Sequence, residues 1–163
     1  MKIAVFGGAF NPPHLGHANL VKSVCDIINP EKVLIIPTGN APHKTSETCF
    51  EDRFEMARLA FPDYEISDIE NSREVSYTVD TILKLQKIYP TADFTLIVGA
   101  DMLADFYKWK DYERLLELCF VIAGGRDHIS SSLVRQKLLS GEATDGLISP
   151  PVAEYIKRKG LYK

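Results

Sequence analysis

The sequence predicts an α/β fold in which an open, mainly parallel sheet carries helices on both faces. Apolar runs of strand length alternate along the chain with segments whose apolar residues recur at helical spacing. The runs are continuous and do not alternate with polar residues, which is typical of parallel strands covered on both faces. The pattern does not define the strand order. Because the chain shows no internal repeat or linker, we expect one domain spanning residues 1–163.

The first two strands and the helix between them have the clearest patterns. Residues 2–6 form an apolar run that ends at two glycines, and residues 32–36 form a second run rich in β-branched side chains. Between them, residues 17–28 carry a single apolar stripe at helical spacing, and Asn29-Pro30 ends it. A polar loop, residues 37–46, follows the second strand.

The middle of the chain predicts two more helices and two more strands. Thr48 and Glu51 form a capping box, in which the Thr48 hydroxyl accepts from a backbone N–H and the Glu51 side chain reaches back. Pro62 and Pro90 follow the two helical stretches and should end them. The elements are a helix from Thr48 to about Ala60, a weaker strand over residues 64–67, a helix capped by Ser76 or Thr78 and running to about Tyr89, and a strand over residues 94–98.

The last third of the chain is expected to add one strand and four helices. The strand covers residues 120–123, and the helices cover residues 102–106, 112–118, 130–139 and 151–159. Right-handed crossovers should join the strands, so that their carboxyl ends share one edge of the sheet.

Composition and charge narrow the class of protein. The net charge is −3 and the pI about 5.8, which argues against a basic surface for nucleic acid but not against a local basic pocket. Cys25, Cys49 and Cys119 are odd in number and widely spaced, which fits neither a disulfide framework nor a zinc site. With no signal peptide and no apolar run near the roughly 20 residues of a membrane span, we expect a cytoplasmic protein that binds neither membrane nor nucleic acid.

Four unusual segments directly follow predicted strands, and they should converge at one edge of the sheet. They are residues 7–17, 37–44, 99–101 and 124–132. In open α/β sheets, ligands bind beyond the carboxyl ends of the strands. We therefore expect the functional site where these segments meet.

Residues 7–17, with the sequence GGAFNPPHLGH, carry the strongest chemical signal. Gly7 and Gly8 allow the backbone to approach a ligand or to take positive φ, with N–H groups facing phosphate oxygens. His14 and His17 lie three residues apart at a helix N-terminus, so both can point at one place beside its backbone donors. This pattern favours a triphosphate site. The alternatives are a simple helix cap and an HxxH metal pair, for which a third ligand is lacking nearby.

Together with residues 129–135, ISSSLVR, this segment resembles the two signatures of the HxGH nucleotidyltransferase superfamily. Further features resemble the bacterial nicotinate mononucleotide adenylyltransferase family, and they cover essentially the whole chain. They are residues 36–37 and 42–44, the Ser-Tyr-Thr of residues 76–78 with Thr81, residues 99–101 followed by Trp109, and the tail at 152–156 and 161–162. The resemblance implies a Rossmann-like form of the predicted sheet.

The resemblance also implies adenylyl transfer from ATP to nicotinate mononucleotide, which gives nicotinate adenine dinucleotide and pyrophosphate in NAD biosynthesis. The 5′-phosphate of the acceptor is already an anion, so no covalent enzyme intermediate is needed, and catalysis consists of positioning and charge stabilisation. Mg²⁺ is the expected cofactor, carried by ATP phosphates and water rather than by protein ligands. ATP and a pyridine mononucleotide are the expected partners, and a homo-oligomer is left open.

The resemblance assigns expected roles to individual residues. His14, His17, Lys44 and Arg135 are the expected catalytic residues, and the two histidines would donate to the α- and β-phosphates. The expected ATP-binding residues are Gly7, Gly8, Ala9, Phe10, Gly16, Gly99, Asp101, Ser130, Ser131 and Ser132, where Asp101 would bind a ribose hydroxyl or cap a helix. The expected acceptor-binding residues are Asn11, Lys44, Ser76, Tyr77, Thr78 and Trp109. Helix N–H groups at 76–78 would suit the nicotinate carboxylate, and Trp109 would stack on the ring or anchor the core.

Other functions remain as alternatives. The chain could act on nicotinamide mononucleotide or pantetheine phosphate, or it could be a non-catalytic nucleotide-binding protein or a metal-binding module. One feature departs from the family, which usually has a longer stretch, often with a further strand, where only residues 124–128 lie here. Arg126 or His128 could replace an ATP contact in this short segment, although placement at the surface is favoured.

Overall fold

The computed structural model describes residues 1–40, 48–72, 74–125 and 127–163. Strands and helices alternate along most of it, as the sequence predicts. In chain order they are β1 (Lys2–Gly8), α1 (Leu15–Ile28), β2 (Lys32–Pro37), α2 (Phe50–Ala60), β3 (Glu65–Ile66), α3 (Thr78–Ile88), β4 (Asp93–Gly99), a 3₁₀ helix (Ala100–Lys108), α4 (Tyr112–Leu118), β5 (Phe120–Gly124), α5 (Ser131–Leu139) and α6 (Pro150–Lys159).

The five strands form one parallel sheet in the order β3-β2-β1-β4-β5. The predicted α/β class and parallel pairing are confirmed, and the structure adds the strand order. The chain builds outward from β1 through β2 to β3 and then returns to the other side of β1. The order therefore reverses between β1 and β4, and such a reversal opens a crevice at the carboxyl edge of the sheet.

The sheet has an apolar layer on each face because successive strand residues point to opposite sides. On one face, Val5 and Leu34 pack in a cluster with α3 and α4. On the other face, Phe6 and Ile35 pack in a cluster with α1 and α2. A third cluster, which includes Met56, joins α2 to α5 and α6. This last cluster places the C-terminal helices beside the loop that follows β1.

Two local predictions are wrong. The α2 helix begins at Phe50 with Cys49 as its N-cap and has no side-chain cap, so the Thr48–Glu51 capping box does not form. The Thr48 side chain is instead buried beside Tyr162, a tertiary proximity that sequence spacing does not reveal. The α3 helix is likewise preceded by Tyr77 rather than capped by Ser76 or Thr78. The short helix predicted over residues 102–106 is present as the 3₁₀ helix after β4.

All three cysteines are free thiols, and Cys119 is the buried one. Burial raises the pKa of the Cys119 thiol to about 11, so this group stays protonated at neutral pH. No helix in the described ranges is both long and apolar enough to cross a bilayer.

A polar contact between α2 and α6 gives a testable contribution to stability. The Tyr155 hydroxyl donates to Oδ1 of Asp52 at 2.7 Å, and Lys159 Nζ lies 3.5 Å from the same oxygen. The Tyr155 hydrogen bond is the main cause that holds the pKa of Asp52 below its usual range. Tyr155→Phe should lower the free energy of unfolding by about 1–2 kcal/mol at neutral pH.

The pH dependence of this effect has a definite sign. Because the pKa of Asp52 is lower in the folded than in the unfolded chain, the contact stabilises the fold above the unfolded value and loses its effect as the pH falls through the folded one. Thermal unfolding should therefore show the gap between wild type and Tyr155→Phe closing as the pH is lowered from about 7 towards about 2. A stability difference that stays constant over this pH range would contradict the role assigned to the Tyr155–Asp52 hydrogen bond.

Candidate active site

A cavity of about 510 Å³ lies at the carboxyl edge of the sheet, where the strand order reverses between β1 and β4. Residues from the ends of β1, β2 and β4 line its inner part. The 76–78 turn and the segment around Trp109 form its outer walls. The lining residues used below are Gly8, Ala9, Glu70, Ser76, Tyr77, Thr78 and Trp109. The expected acceptor-side residues 76–78 and Trp109 therefore do come together at the rim of one cavity.

His14 and His17 cap each other at the start of α1. The His14 backbone N–H donates to Nδ1 of His17 at 3.1 Å, and the His17 N–H donates to Nδ1 of His14 at 3.3 Å. The two rings are stacked, with centroids 3.6 Å apart. Because each Nδ1 accepts a hydrogen bond, the proton of each neutral ring lies on Nε2. The helix-cap alternative is thus correct for His14, and the same geometry gives two Nε2–H donors at a helix N-terminus, where anions bind readily.

Glycines near these rings are required by close packing rather than by positive φ. A Cβ on Gly16 would lie 3.0 Å from two atoms of the His14 ring, and a Cβ on Gly8 would lie 2.9 Å from Cε1 of Phe10. Neither Gly7 nor Gly8 has positive φ, contrary to one sequence expectation. Phe10 takes that conformation instead, with φ of 50°, and its ring is buried against its neighbours.

The segment from Gly8 to His14, here called the signature loop, is held from behind by the start of α5. Ser130 serves as a helix cap, since its side chain accepts from the Leu133 N–H. Other side chains of α5 donate to loop carbonyls, which fixes the loop backbone. These contacts are Ser131 Oγ to Pro12 O at 2.8 Å and Arg135 Nη1 to Asn11 O at 2.7 Å. Within α5, Arg135 Nη2 also donates to Ser132 Oγ at 3.2 Å.

Arg53, in the first turn of α2, is a further loop contact that sequence reasoning missed. Its side chain is 4% exposed, and Nη1 donates to the carbonyl of Ala9 at 2.8 Å. Burial lowers the pKa of this guanidinium. An arginine near a helix start is usually solvated, so nothing in the local sequence marks this one as a brace for the loop.

One cavity wall is held together by Glu70, which sequence reasoning also missed. Its Oε1 accepts from the Thr81 hydroxyl at 2.7 Å, and its Oε2 accepts from the Gly39 N–H at 3.2 Å. The Ser76 N–H donates to the Asn40 carbonyl at 2.9 Å. These bonds join the loop after β2 to the segment before α3. Sequence spacing gives no signal for them, because the partners are separated by 11 to 36 residues of chain.

The start of α3 presents backbone donors at the cavity, one residue later than the sequence suggests. The Ser76 N–H already has a partner in Asn40, so the N–H groups available to a ligand begin at Tyr77, the N-cap of α3. Lys110 lies beside this turn, with Nζ 4.6 Å from the Tyr77 ring centre and 2.9 Å from Asp80 Oδ2. The turn therefore combines helix donors with a nearby cation.

Trp109 packs against the core and also borders the cavity. Its ring is half-buried, lies 4.9 Å from the Phe106 ring between centroids, and packs against the core cluster under α3. It also lines the cavity. Stacking on a ligand ring remains a prediction.

The remaining predicted residues lie in several places. Gly99 ends β4 and is the N-cap of the 3₁₀ helix, so the alternative that Asp101 caps this helix is wrong. The contact of Asp101 with a ribose hydroxyl remains a prediction. Asp101 and His128 are exposed. Lys44 and Arg126 lie outside the described residues. Gly8 and Ala9 of the signature loop line the cavity, and His14 and His17 are not among its lining residues. Ser130 to Ser132 lie at the start of α5, where Ser131 contacts the signature loop at Pro12.

Comparison with known proteins gives a consistent set of relatives. Residues 5–140 match the family model described as cytidylyltransferase-like. A Geobacillus thermodenitrificans protein assigned as a nicotinate-nucleotide adenylyltransferase is 35% identical over 185 aligned positions, covering 99% of this chain and 86% of the relative. A protein of the same assignment from Caldicellulosiruptor bescii is 32% identical over 197 positions that cover both chains fully. Both alignments exceed the 163 residues of this chain, so these relatives contain segments that it lacks.

Solved structures show the same fold. A crystal structure of a Vibrio parahaemolyticus protein, assigned as a nicotinate-nucleotide adenylyltransferase, has a TM-score of 0.85 at 31% identity and covers 99% of this chain and 94% of that one. The nicotinic acid mononucleotide adenylyltransferase of Plasmodium falciparum, solved with NaAD, has a TM-score of 0.84 at 19% identity. At that identity the second likeness concerns the fold alone.

Proposed function

This chain belongs to the nicotinate-nucleotide adenylyltransferases within the cytidylyltransferase-like family, and on that premise we propose how its residues carry out the reaction. The enzyme transfers the AMP unit of ATP to nicotinate mononucleotide and releases pyrophosphate. The observation that carries the mechanistic proposal is the stacked His14–His17 pair at the start of α1, next to a cavity at the switch point of the sheet. This arrangement supports a phosphate site adjoining a pocket for a small aromatic acceptor.

The chemical step is a single in-line displacement at the α-phosphorus of ATP. An oxygen of the acceptor's 5′-phosphate forms the new P–O bond while the bond to the bridging oxygen of pyrophosphate breaks, and negative charge moves onto pyrophosphate. The nucleophile is already an anion, so the site needs donors and alignment rather than a general base. The Nε2–H groups of His14 and His17 would serve as those donors.

The rest of the phosphate site would come from helix ends and from the signature loop. The start of α1 offers backbone N–H groups and the positive end of its dipole. Because Arg135 and Ser131 already bind loop carbonyls, we propose that they act mainly by fixing the loop, with Ser132 and the remaining Arg135 donors facing phosphate oxygens. Lys44 would add a point charge.

Mg²⁺ is proposed to enter the site with ATP, where it would neutralise charge on the phosphates. Across the described ranges, no three His, Cys, Asp or Glu side chains cluster closely enough to hold a metal ion. Phosphate oxygens and water form the donor set that this hard cation prefers. The protein residues would therefore bind the nucleotide and not the ion directly.

Trp109→Ala should weaken acceptor binding selectively. Stacking on an aromatic side chain is worth about 1–3 kcal/mol per base, so we expect the KM for nicotinate mononucleotide to rise about tenfold or more. The KM for ATP should stay unchanged, because the tryptophan lies on the acceptor side of the cavity. Tyr107→Ala is the matched control, since Tyr107 is exposed and lies in the 3₁₀ helix that ends at Trp109. Equal changes in both KM values would assign Trp109 to the core instead.

A pyrophosphate-release assay tests the proposed function. The purified chain is supplied with ATP and with nicotinate mononucleotide, nicotinamide mononucleotide or pantetheine phosphate, each with and without Mg²⁺. We expect Mg²⁺-dependent turnover with the highest kcat/KM for nicotinate mononucleotide, since helix N–H donors favour a carboxylate. Comparable kcat/KM values for the two pyridine nucleotides would contradict the proposal that the start of α3 recognises the carboxylate. Turnover with none of the acceptors would favour a non-catalytic nucleotide-binding protein.

A further inference from the structure

The C-terminal tail crosses to the signature loop and contacts it directly. The α6 helix ends at Gly160 with φ of 66°, and Tyr162 follows with φ of 58°. The tail packs in the third apolar cluster, between α2 and α5. There the Tyr162 hydroxyl lies 2.5 Å from Oδ1 of Asn11, a residue 151 positions away in the chain.

The Tyr162 hydroxyl is the donor in this hydrogen bond, and Oδ1 of Asn11 is the acceptor. Burial is the main cause that raises the pKa of Tyr162 to about 12, so the hydroxyl keeps its proton at neutral pH. The single hydroxyl proton of Tyr162 is therefore directed to Oδ1 of Asn11.

This bond orients the Asn11 amide. An asparagine side chain has an acceptor oxygen on one side and a donor NH₂ group on the other, and their placement is set by hydrogen-bond partners. With Oδ1 held by Tyr162, the two N–H donors of Asn11 turn away from the tail. The Asn11 carbonyl is held at the same time by Arg135 at 2.7 Å. The middle of the signature loop is thus fixed through both its backbone and its side chain.

We propose that Tyr162 is a positioning residue for adenylyl transfer, which acts through Asn11 by orienting its amide donors towards the phosphates and fixing the loop that ends at His14. The proposal rests on the proposed function and extends it to the C-terminal tail. We expect no direct contact between Tyr162 and either substrate. Its loss should therefore appear as misalignment of the loop.

Tyr162→Phe tests the proposal, with Tyr155→Phe as a matched control. Both tyrosines belong to the C-terminal region, both donate one hydrogen bond, and both changes remove a single hydroxyl. Tyr155, however, bonds Asp52 of α2 and not the signature loop. At a temperature where both variants are fully folded, we expect Tyr162→Phe to lower kcat about tenfold, because small displacements of reacting groups are costly, while Tyr155→Phe keeps wild-type kcat. Equal kcat losses in the two variants would overturn the proposal.

A double-mutant cycle shows whether Tyr162 acts through Asn11. If it does, Tyr162→Phe should lower kcat far less in an Asn11→Ala background than in the wild type. Independent, multiplicative losses would contradict the proposed route. Hydrogen exchange provides a readout that does not depend on turnover, since the backbone N–H groups of residues 9–11 and of His14 should exchange faster in Tyr162→Phe than in Tyr155→Phe. Unchanged exchange at these residues would overturn the proposal, even if the acceptor assay detects no turnover. If the wild type is active and Tyr162→Phe has the same kcat, the role of Tyr162 is overturned while the proposed function stands.

Discussion

His17→Ala is expected to lower kcat by about 100-fold or more, the usual effect of removing a preorganised donor from a site where charge develops. The His17 ring stacks on His14 at 3.6 Å between centroids, and its Nδ1 accepts the His14 N–H. That bond leaves the ring proton on Nε2, at the N-terminus of α1. The KM for the acceptor should change little, because His17 lies outside the cavity lining. Steady-state kinetics with saturating ATP measure the effect.

The same substitution also removes half of the reciprocal cap, so stability must be separated from catalysis. We expect His17→Ala to cost about 1 kcal/mol of folding free energy, as the loss of a helix cap does. His17→Glu is the matched variant, because an ionised glutamate at this position can accept the His14 N–H as in a capping box and carries no N–H donor. It should recover the stability but not the kcat. Recovery of kcat together with stability would assign His17 to the cap alone.

Gly39→Ala is expected to disrupt the acceptor wall of the cavity. A Cβ at this position would lie 1.8 Å from the Glu70 carbonyl oxygen and 2.9 Å from Ser76 Oγ, so the backbone must move. Overpacking of this kind costs about 1–3 kcal/mol of folding free energy. The displaced segments are those that present Ser76 to the cavity. We therefore expect the KM for nicotinate mononucleotide to rise about tenfold, as for a loss of about 1.4 kcal/mol in binding, with the KM for ATP unchanged.

Gly125→Ala is the control for this prediction. A Cβ on Gly125 would have no heavy atom within 4 Å, and the residue does not take the left-handed conformation that disfavours alanine. Both variants should be compared by thermal unfolding and by acceptor kinetics. Gly125→Ala should match the wild type in both. If Gly39→Ala is folded and has the wild-type KM for nicotinate mononucleotide, the contacts among Gly39, Glu70 and Ser76 do not contribute to acceptor binding.

Continuous apolar runs were sufficient to predict the strands, because burial on both faces requires them. The run at residues 2–6 becomes β1, and the run at 32–36 becomes β2, each with its glycine or proline end extended into the strand. The strand order could not be predicted, because it depends on which strands pair and not on the pattern within any one of them. The prediction of a cap at Thr48 is wrong for a related reason, since the fold buries that side chain beside a distant residue, Tyr162.

The candidate site likewise contains features that local sequence predicts and features that depend on distant parts of the chain. That His14, His17 and Ser131 lie near one another could be predicted, because segments that follow parallel strands converge at the carboxyl edge of the sheet, and their roles in the site stay predictions. The residues that hold those groups in place could not be predicted. Arg53, Glu70 and Tyr162 each act across 31 or more positions of the chain on at least one partner, and none has local spacing that distinguishes it from an ordinary surface residue. Such contacts become visible only when the fold brings the segments together.

A crystal structure of this chain with nicotinate adenine dinucleotide would test the proposed site, since it shows where the joined nucleotides lie. We expect the nicotinate ring in the cavity beside Trp109, with its carboxylate at the start of α3. We also expect a bridging phosphate oxygen at about 2.7–3.2 Å from Nε2 of His14 or His17. A product whose phosphates lie away from both histidines, or whose pyridine ring lies outside the cavity, would contradict it.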